Sequence, residues 1–252
     1  MIVAERLTKI FPMPDGGDKR AVDDLSFTVA QGQVYGLLGP NGAGKTTTLR
    51  ILSGLMAPTA GRVQIAGYDA SVSRDGVKRS IGFLTANTGL YHRLSPRELL
   101  IYFARLHGMN GSLAAERVDR LIDWLDMGAF ADLRCGALST GQRQRTNIAR
   151  ALVGDPPVLI MDEPTLGLDV LSNRVILDFI RRERDEGKTV LLSTHYLDEA
   201  ETMCDRIGLL HNGRLLAEGC VEELRVLAGE ERLSNVFLKL IQDRDPEARR
   251  RA

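Results

Sequence analysis

An excess of charge of one sign is the first thing the sequence lacks. Lys and Arg number 33 and Asp and Glu number 33, for a formal net charge of +0, so no overall field draws the chain to nucleic acid or to an anionic membrane surface. The basic run Arg249-Arg250-Arg251 reads as a solvated, frayed tail. Long apolar runs are also missing. None reaches the length of a membrane helix, and the opening Met1-Ile2-Val3-Ala4-Glu5-Arg6 lacks the apolar stretch of a secretory signal, which makes a cytosolic chain the expectation. Cysteine is scarce. Cys135, Cys204 and Cys220 are widely spaced and form no C-x-x-C pair, which excludes a disulfide framework and a zinc site and leaves them as reduced bystanders. Low-complexity segments and internal repeats are absent as well. What remains is 252 residues, 44% hydrophobic and 26% charged, the balance of one ordinary globular unit with room for an inserted subdomain.

The most informative stretch that is present is Gly39-Pro40-Asn41-Gly42-Ala43-Gly44-Lys45-Thr46-Thr47, which follows the apolar run Val34-Tyr35-Gly36-Leu37-Leu38 and precedes helix-favouring residues. This is the pattern of a phosphate-binding P-loop. Its glycines allow positive φ and a close backbone approach, so that successive N–H groups and the following helix N-terminus point at anionic oxygens. Lys45 reaches the β- and γ-phosphates in such a loop, and the Thr46 hydroxyl binds Mg²⁺.

Along the chain, residues 2–7 and 21–29 read as strands around a Pro/Gly loop, giving an N-terminal antiparallel sheet. Phe11 stands at the exit of the first strand, where its ring either stacks on a purine or makes a hydrophobic contact under the loop. Strand patterns follow at 62–67 and 81–84. Then Ser95-Pro96-Arg97-Glu98 forms a capping box ahead of an apolar-periodic helix at 99–106. A second helix is expected at 114–125, with Val118, Leu121, Ile122 and Leu125 on one face. Helices are expected again at 143–152 and 175–184, and strands at 158–161 and 189–192. The strand at 158–161 runs into Asp162-Glu163, and the one at 189–192 into Ser193-Thr194-His195. P-loop, acidic pair and His195 thus sit at strand C-terminal ends, the edge at which a parallel α/β sheet presents its ligand loops. Asp162 suits a Mg²⁺-holding role, Glu163 suits accepting a proton from or orienting a water, and His195 suits donating to a γ-phosphate.

Two further motifs carry a family resemblance. Leu138-Ser139-Thr140-Gly141-Gln142 resembles the signature of ATP-binding-cassette (ABC) ATPases, and Leu166-Gly167-Leu168-Asp169, after Asp162-Glu163-Pro164, resembles their D-loop. On that resemblance His195 matches the switch histidine and Phe11 the adenine-stacking aromatic. The resemblance implies an α/β P-loop NTPase of the ABC ATPase fold, with a parallel core sheet, an N-terminal antiparallel β subdomain and an inserted helical subdomain. The core then covers 1–86 and 143–225, the insertion about 87–142, and a C-terminal helical extension with the basic tail 226–252. It further implies ATP and Mg²⁺ as cofactors and a second copy whose signature closes over this chain's nucleotide. An integral-membrane permease on the cytoplasmic face of the membrane, and no nucleic acid, complete the expected partners. Residues 81–91, 138–142 and 169–171 look most like the sodium-extruding Nat-type exporters. There are two departures. Thr140 stands where the family usually has Gly, and Ala86, with Asn87 beside it, stands where the family has a Gln that touches Mg²⁺. A soluble ABC ATPase acting on nucleic acid, or a regulatory module without turnover, is the alternative reading.

Overall fold

The computed structural model describes residues 1–14, 16–85 and 89–244. In chain order these form β1 (Ile2–Pro12), β2 (Asp18–Val29), β3 (Val34–Leu38), α1 (Lys45–Leu52), β4 (Ala60–Ile65), β5 (Tyr68–Asp69), α2 (Arg74–Ser80) and β6 (Ile81–Leu84). A helical run follows: α3 (Pro96–Leu106), α4 (Gly111–Trp124) and α5 (Thr140–Leu152). The chain then alternates through β7 (Val158–Asp162), α6 (Val170–Asp185), β8 (Thr189–Thr194), α7 (Leu197–Met203), β9 (Arg206–His211) and β10 (Arg214–Gly219). It closes with α8 (Val221–Ala228) and α9 (Leu233–Arg244).

Two sheets result. One is antiparallel, in the order β2-β1-β4-β5, and the other runs β10-β9-β3-β8-β7-β6. In the second sheet β6, β7, β8, β3 and β9 are parallel, and β10 is an antiparallel edge strand paired with β9. Every residue of β3, β7 and β8 is buried. Such continuous apolar runs are what a parallel sheet covered on both faces requires. One face packs Tyr35, Leu37, Ile160 and Leu191 against α1 and the antiparallel sheet. The other packs Met161, Val190 and Leu192 against α5, α6 and the helical insertion.

The insertion folds for local reasons legible in its sequence. Ser95 and Glu98 exchange both capping-box hydrogen bonds, at 3.2 and 2.9 Å, with Pro96 in the first turn. On α4, Val118, Leu121 and Ile122 are buried together with Leu125, the expected apolar face. Arg117 of α4 reaches across to the Leu152 carbonyl at 2.9 Å and to Asp155 at 3.0 Å. Lys188 links Asp155, at 2.7 Å, to the fully buried Glu183, at 2.5 Å. Burial pushes the Glu183 carboxyl up from its ordinary range, and the Lys188 ammonium opposes this.

Several boundaries differ from the sequence reading. The first two strands are longer than 2–7 and 21–29 because their pairing continues through Pro12 and Asp18. Helix α5 starts at Thr140 rather than 143, because Ser139 and Gln142 are themselves a capping box and the motif is the cap and first turn. Helix α6 starts at Val170 rather than 175, because Asp169 caps it. The short α2 and α7 and the β9/β10 hairpin were not anticipated. The C-terminal helices begin at Val221, ahead of the expected boundary at 225. The basic tail and the positions Ala86 and Asn87 lie outside the described residues.

Candidate functional site

The order of the parallel strands builds the site. β3 lies beside β8, and β8 beside β7. Leu38 is level with Thr194, and Asp162 with Ser193. The next residues, Gly39, His195 and Glu163, therefore emerge side by side from three neighbouring strands at their C-terminal edge.

The loop from Gly39 to Gly44 can follow its path only with glycine at two crowded positions. A Cβ on Gly39 would lie 2.2 Å from the Leu210 carbonyl oxygen, and one on Gly44, at φ 105°, would lie 2.3 Å from that of Ala21. The turn is braced from the C-terminal hairpin, where Gly213 N–H donates to the Ala43 carbonyl at 2.9 Å and the Gly213 carbonyl accepts from Asp23 N–H at 2.9 Å. Pro40 and Asn41 are exposed and Thr47 is half-buried. α1 leaves directly from this loop, so its N-terminal N–H groups and the positive end of its dipole face the loop's concave side.

Lys45 is buried and its ammonium is fully engaged. It donates to the Gly39 carbonyl at 2.6 Å and lies 3.3 Å from Glu163 Oε1. The second Glu163 oxygen lies 2.8 Å from His195 Nδ1. Glu163 itself sits at φ 50°, in the left-handed region that a non-glycine residue seldom occupies. Its N–H is held there by the carbonyl and the hydroxyl of Ser193, at 3.1 and 3.2 Å. Asp162 accepts from Thr46 Oγ1 at 3.2 Å and from Ser193 Oγ at 2.6 Å. Thr46, Asp162, Lys45, Glu163 and His195 are thus one connected cluster, as the sequence places them.

Ser193 is the residue that the sequence reading missed. Its own neighbourhood did not mark it, since Ser193 and Thr194 read together as the polar end of an apolar strand. Because it is fully buried and serves both Asp162 and Glu163, Ser193→Ala leaves part of the Asp162 carboxylate unsatisfied. An unfolding free energy lower by about 1–3 kcal/mol is expected in urea titration.

The start of α5 is an exposed helix N-terminus. Ser139 and Gln142 close on one another at 3.3 and 2.9 Å, and Ser139 and Thr140 are exposed while Leu138 is buried. Gly141 is packed so tightly on α6 that a Cβ would come 2.6 Å from Ser172 Oγ. Thr140, at the position where Gly is usual, points outward and accepts from Arg143 at 3.4 Å, so its extra atoms are accommodated. Asp169 caps α6 through Ser172 N–H at 2.8 Å. That hydrogen bond and the Ser172 hydroxyl hold the Asp169 carboxyl below its ordinary range. Leu166, Val170 and Leu171 around it are exposed.

Phe11 is half-buried and outside the buried cores, with the Lys9 ammonium 5.2 Å from its ring centroid. The three cysteines are free, and burial raises the thiol pKa of Cys204 and Cys135. Among the described residues no group of three or more His, Cys, Asp or Glu side chains is placed to hold a metal. The hydroxyl and carboxylate of Thr46 and Asp162 are hard oxygen donors. They fit Mg²⁺, which binds through few protein ligands and takes the rest from phosphate and water.

A Gly-rich strand-to-helix loop with a buried Lys, together with an Asp-Glu pair at the end of β7, one strand removed from β3, defines a P-loop nucleoside triphosphatase. The family model for the ABC transporter matches residues 22–166, and the chain belongs to that family as an ATP-binding subunit that hydrolyses ATP. It is 39% identical over 225 residues to the ABC transporter ATP-binding protein NatA of Bacillus subtilis (strain 168), covering 88% of this chain and 92% of that one. It is 42% identical over 203 residues to the Nod factor export ATP-binding protein I of Rhizobium sp. (strain N33), covering 81% of this chain and 67% of that protein. Among solved structures it resembles a dimeric post-hydrolysis state of an ATP-binding cassette bound to ADP and Pi, with TM-score 0.80 and 27% identity, covering 87% of this chain and 98% of that one.

Proposed function

We propose that this chain energises an exporter: two copies bind ATP between them and drive a separately encoded membrane permease. The observation that carries the two-copy reading is the exposed α5 start. It is an exposed helix N-terminus, the end of a helix that attracts anions, on the surface of a chain that already has its own phosphate loop. In this reading Ser139 and Gly141 of one copy close on the γ-phosphate held by the other, and each single copy has an incomplete site. Leu166, Val170 and Leu171, exposed beside Asp169, lie along the same face.

Within one copy, the P-loop N–H groups and Lys45 bind the β- and γ-phosphates, and Phe11 stacks on the base. Thr46 and Asp162 would hold Mg²⁺, which when bound neutralises charge between the β- and γ-phosphates. Lys45 lies 3.3 Å from Glu163 Oε1, so the two share one corner of the site. In this reading Lys45 pairs with the γ-phosphate, Glu163 orients the attacking water and takes its proton, and His195 donates to the γ-phosphate. Loss of the γ-phosphate removes the charge joining the copies, and the pair opens.

Among the described residues no helix is long and apolar enough to cross a membrane; in this reading the permease provides the membrane attachment. Tyr91, Tyr102 and Leu106 are exposed on the insertion and supply an aromatic and apolar surface for it. Leu90 and Leu94 pack inward against the core. The export direction is supported by similarity to a Nod factor export protein, and sodium as cargo by the resemblance to Nat-type cassettes. Co-expression with the membrane protein encoded beside it, followed by ATP-dependent ²²Na⁺ uptake into everted vesicles, tests the cargo. Uptake above that of Lys45→Ala vesicles is expected, and equal uptake removes sodium.

A further inference from the structure

We propose that Glu199 is a positioning residue for turnover, a carboxylate that ties the turn carrying Glu163 to the helix following His195; this rests on the roles proposed above for those two residues. Each of its oxygens is taken by a different element. Oε2 accepts from Thr165 Oγ1 at 2.7 Å, and Oε1 accepts from Asn173 Nδ2 at 2.6 Å. Thr165 is buried and lies two residues beyond Glu163, inside the turn that Leu166 N–H closes on the Glu163 carbonyl at 3.2 Å. Asn173 belongs to the first turn of α6, just after its Asp169 cap and the exposed Val170 and Leu171. Glu199 itself lies in the first turn of α7, four residues after His195.

One side chain therefore links the turn after the left-handed Glu163, the α6 start that carries the exposed apolar residues, and the helix that follows His195. A strained residue keeps its conformation only while its surroundings over-determine it. Besides the Ser193 bonds to the Glu163 N–H, the turn is anchored at the two residues that follow. Gln144 of α5 donates to the Pro164 carbonyl at 2.7 Å, and Glu199 holds Thr165. Hydrogen bonds to an ionised acceptor are the stronger kind, and two of them converge here on one carboxylate. Movement of His195 on meeting a γ-phosphate is transmitted through α7 and Glu199 to both Glu163 and the α6 start.

The test is steady-state ATPase of the full chain, with kcat and KM separated, for Glu199→Ala, Glu199→Gln, Thr165→Val and Asn173→Ala, and with Glu163→Gln alongside. Glu199→Ala should lower kcat about tenfold, since small misplacement of a reacting group is costly, with KM for ATP changed by less than about twofold. Glu199→Gln should recover most of the rate, because its amide oxygen accepts from Asn173 and its NH₂ donates to the Thr165 hydroxyl. The double variant Glu199→Ala/Thr165→Val should be no slower than Glu199→Ala alone, as both remove one link. A lowered melting temperature with unchanged kcat, equal impairment of the Ala and Gln variants, or an effect confined to KM would overturn the proposal. If Glu199→Ala does not fold, Thr165→Val and Asn173→Ala carry the same kcat expectation. An inactive Glu163→Gln beside an unimpaired Glu199→Ala removes only this link, whereas an active Glu163→Gln removes the reading it rests on.

Discussion

Glu163→Gln is expected to bind ATP and fail to turn it over, with kcat reduced about 10²- to 10⁴-fold, the range that loss of a general base produces. The amide keeps the volume and the left-handed backbone position held by Ser193. It retains an oxygen toward Lys45 or His195, so the loop geometry survives. What it cannot do is take a proton from water. Nucleotide affinity by calorimetry should therefore match the parent chain while phosphate release disappears. A variant that releases phosphate at the parent rate would show that Glu163 is structural and that its contacts with Lys45 and His195 only fill a buried corner.

Lys45→Ala acts at the earlier step and should weaken ATP binding about 10²-fold or more, given that hydrogen bonds to charged groups contribute roughly 1.5–3 kcal/mol each and Lys45 would make more than one. The loop from Gly39 to Thr47 holds no other cation to replace it. Lys9, near Phe11, is half-buried and bonded to the Ala57 carbonyl at 3.0 Å. The substitution also frees the Gly39 carbonyl and leaves Glu163 paired only with His195. Calorimetric titration with ATP checks the expectation, and an unchanged affinity would remove Lys45 from the phosphate site.

Much of this site was legible in the sequence because each part carries its own local constraint. Gly39 and Gly44 mark places where a Cβ would strike a carbonyl oxygen. Residues 158–161 and 190–192 are short, uniformly apolar runs between turn signals, the pattern of buried strands, so the polar residues after them were expected at one sheet edge. Ser95 to Glu98 announced the insertion by its capping box. The same rule, applied to Ser139 and Gln142, would have placed the start of α5 correctly; treating the stretch as a motif ahead of a helix hid that it is the helix's first turn. The β9/β10 hairpin also had a signal, Asn212-Gly213, with both residues at positive φ, the commonest two-residue hairpin turn. Ser193 and Glu199 were not legible. Their importance lies in which strands and turns become neighbours, and a serine in a strand or a glutamate in a short surface helix has no periodicity that reports this.

The central claim is that one copy is half a site, and the mass of Glu163→Gln in solution tests it most directly. In sedimentation equilibrium the variant should be a monomer without nucleotide and twice that mass with ATP and Mg²⁺, and should return to monomer with ADP. Substituting Ser139 in the same background should abolish the ATP-dependent species, because the contact to the partner's γ-phosphate is lost. A Glu163→Gln chain that binds ATP and keeps the monomer mass at every concentration tested would contradict the account.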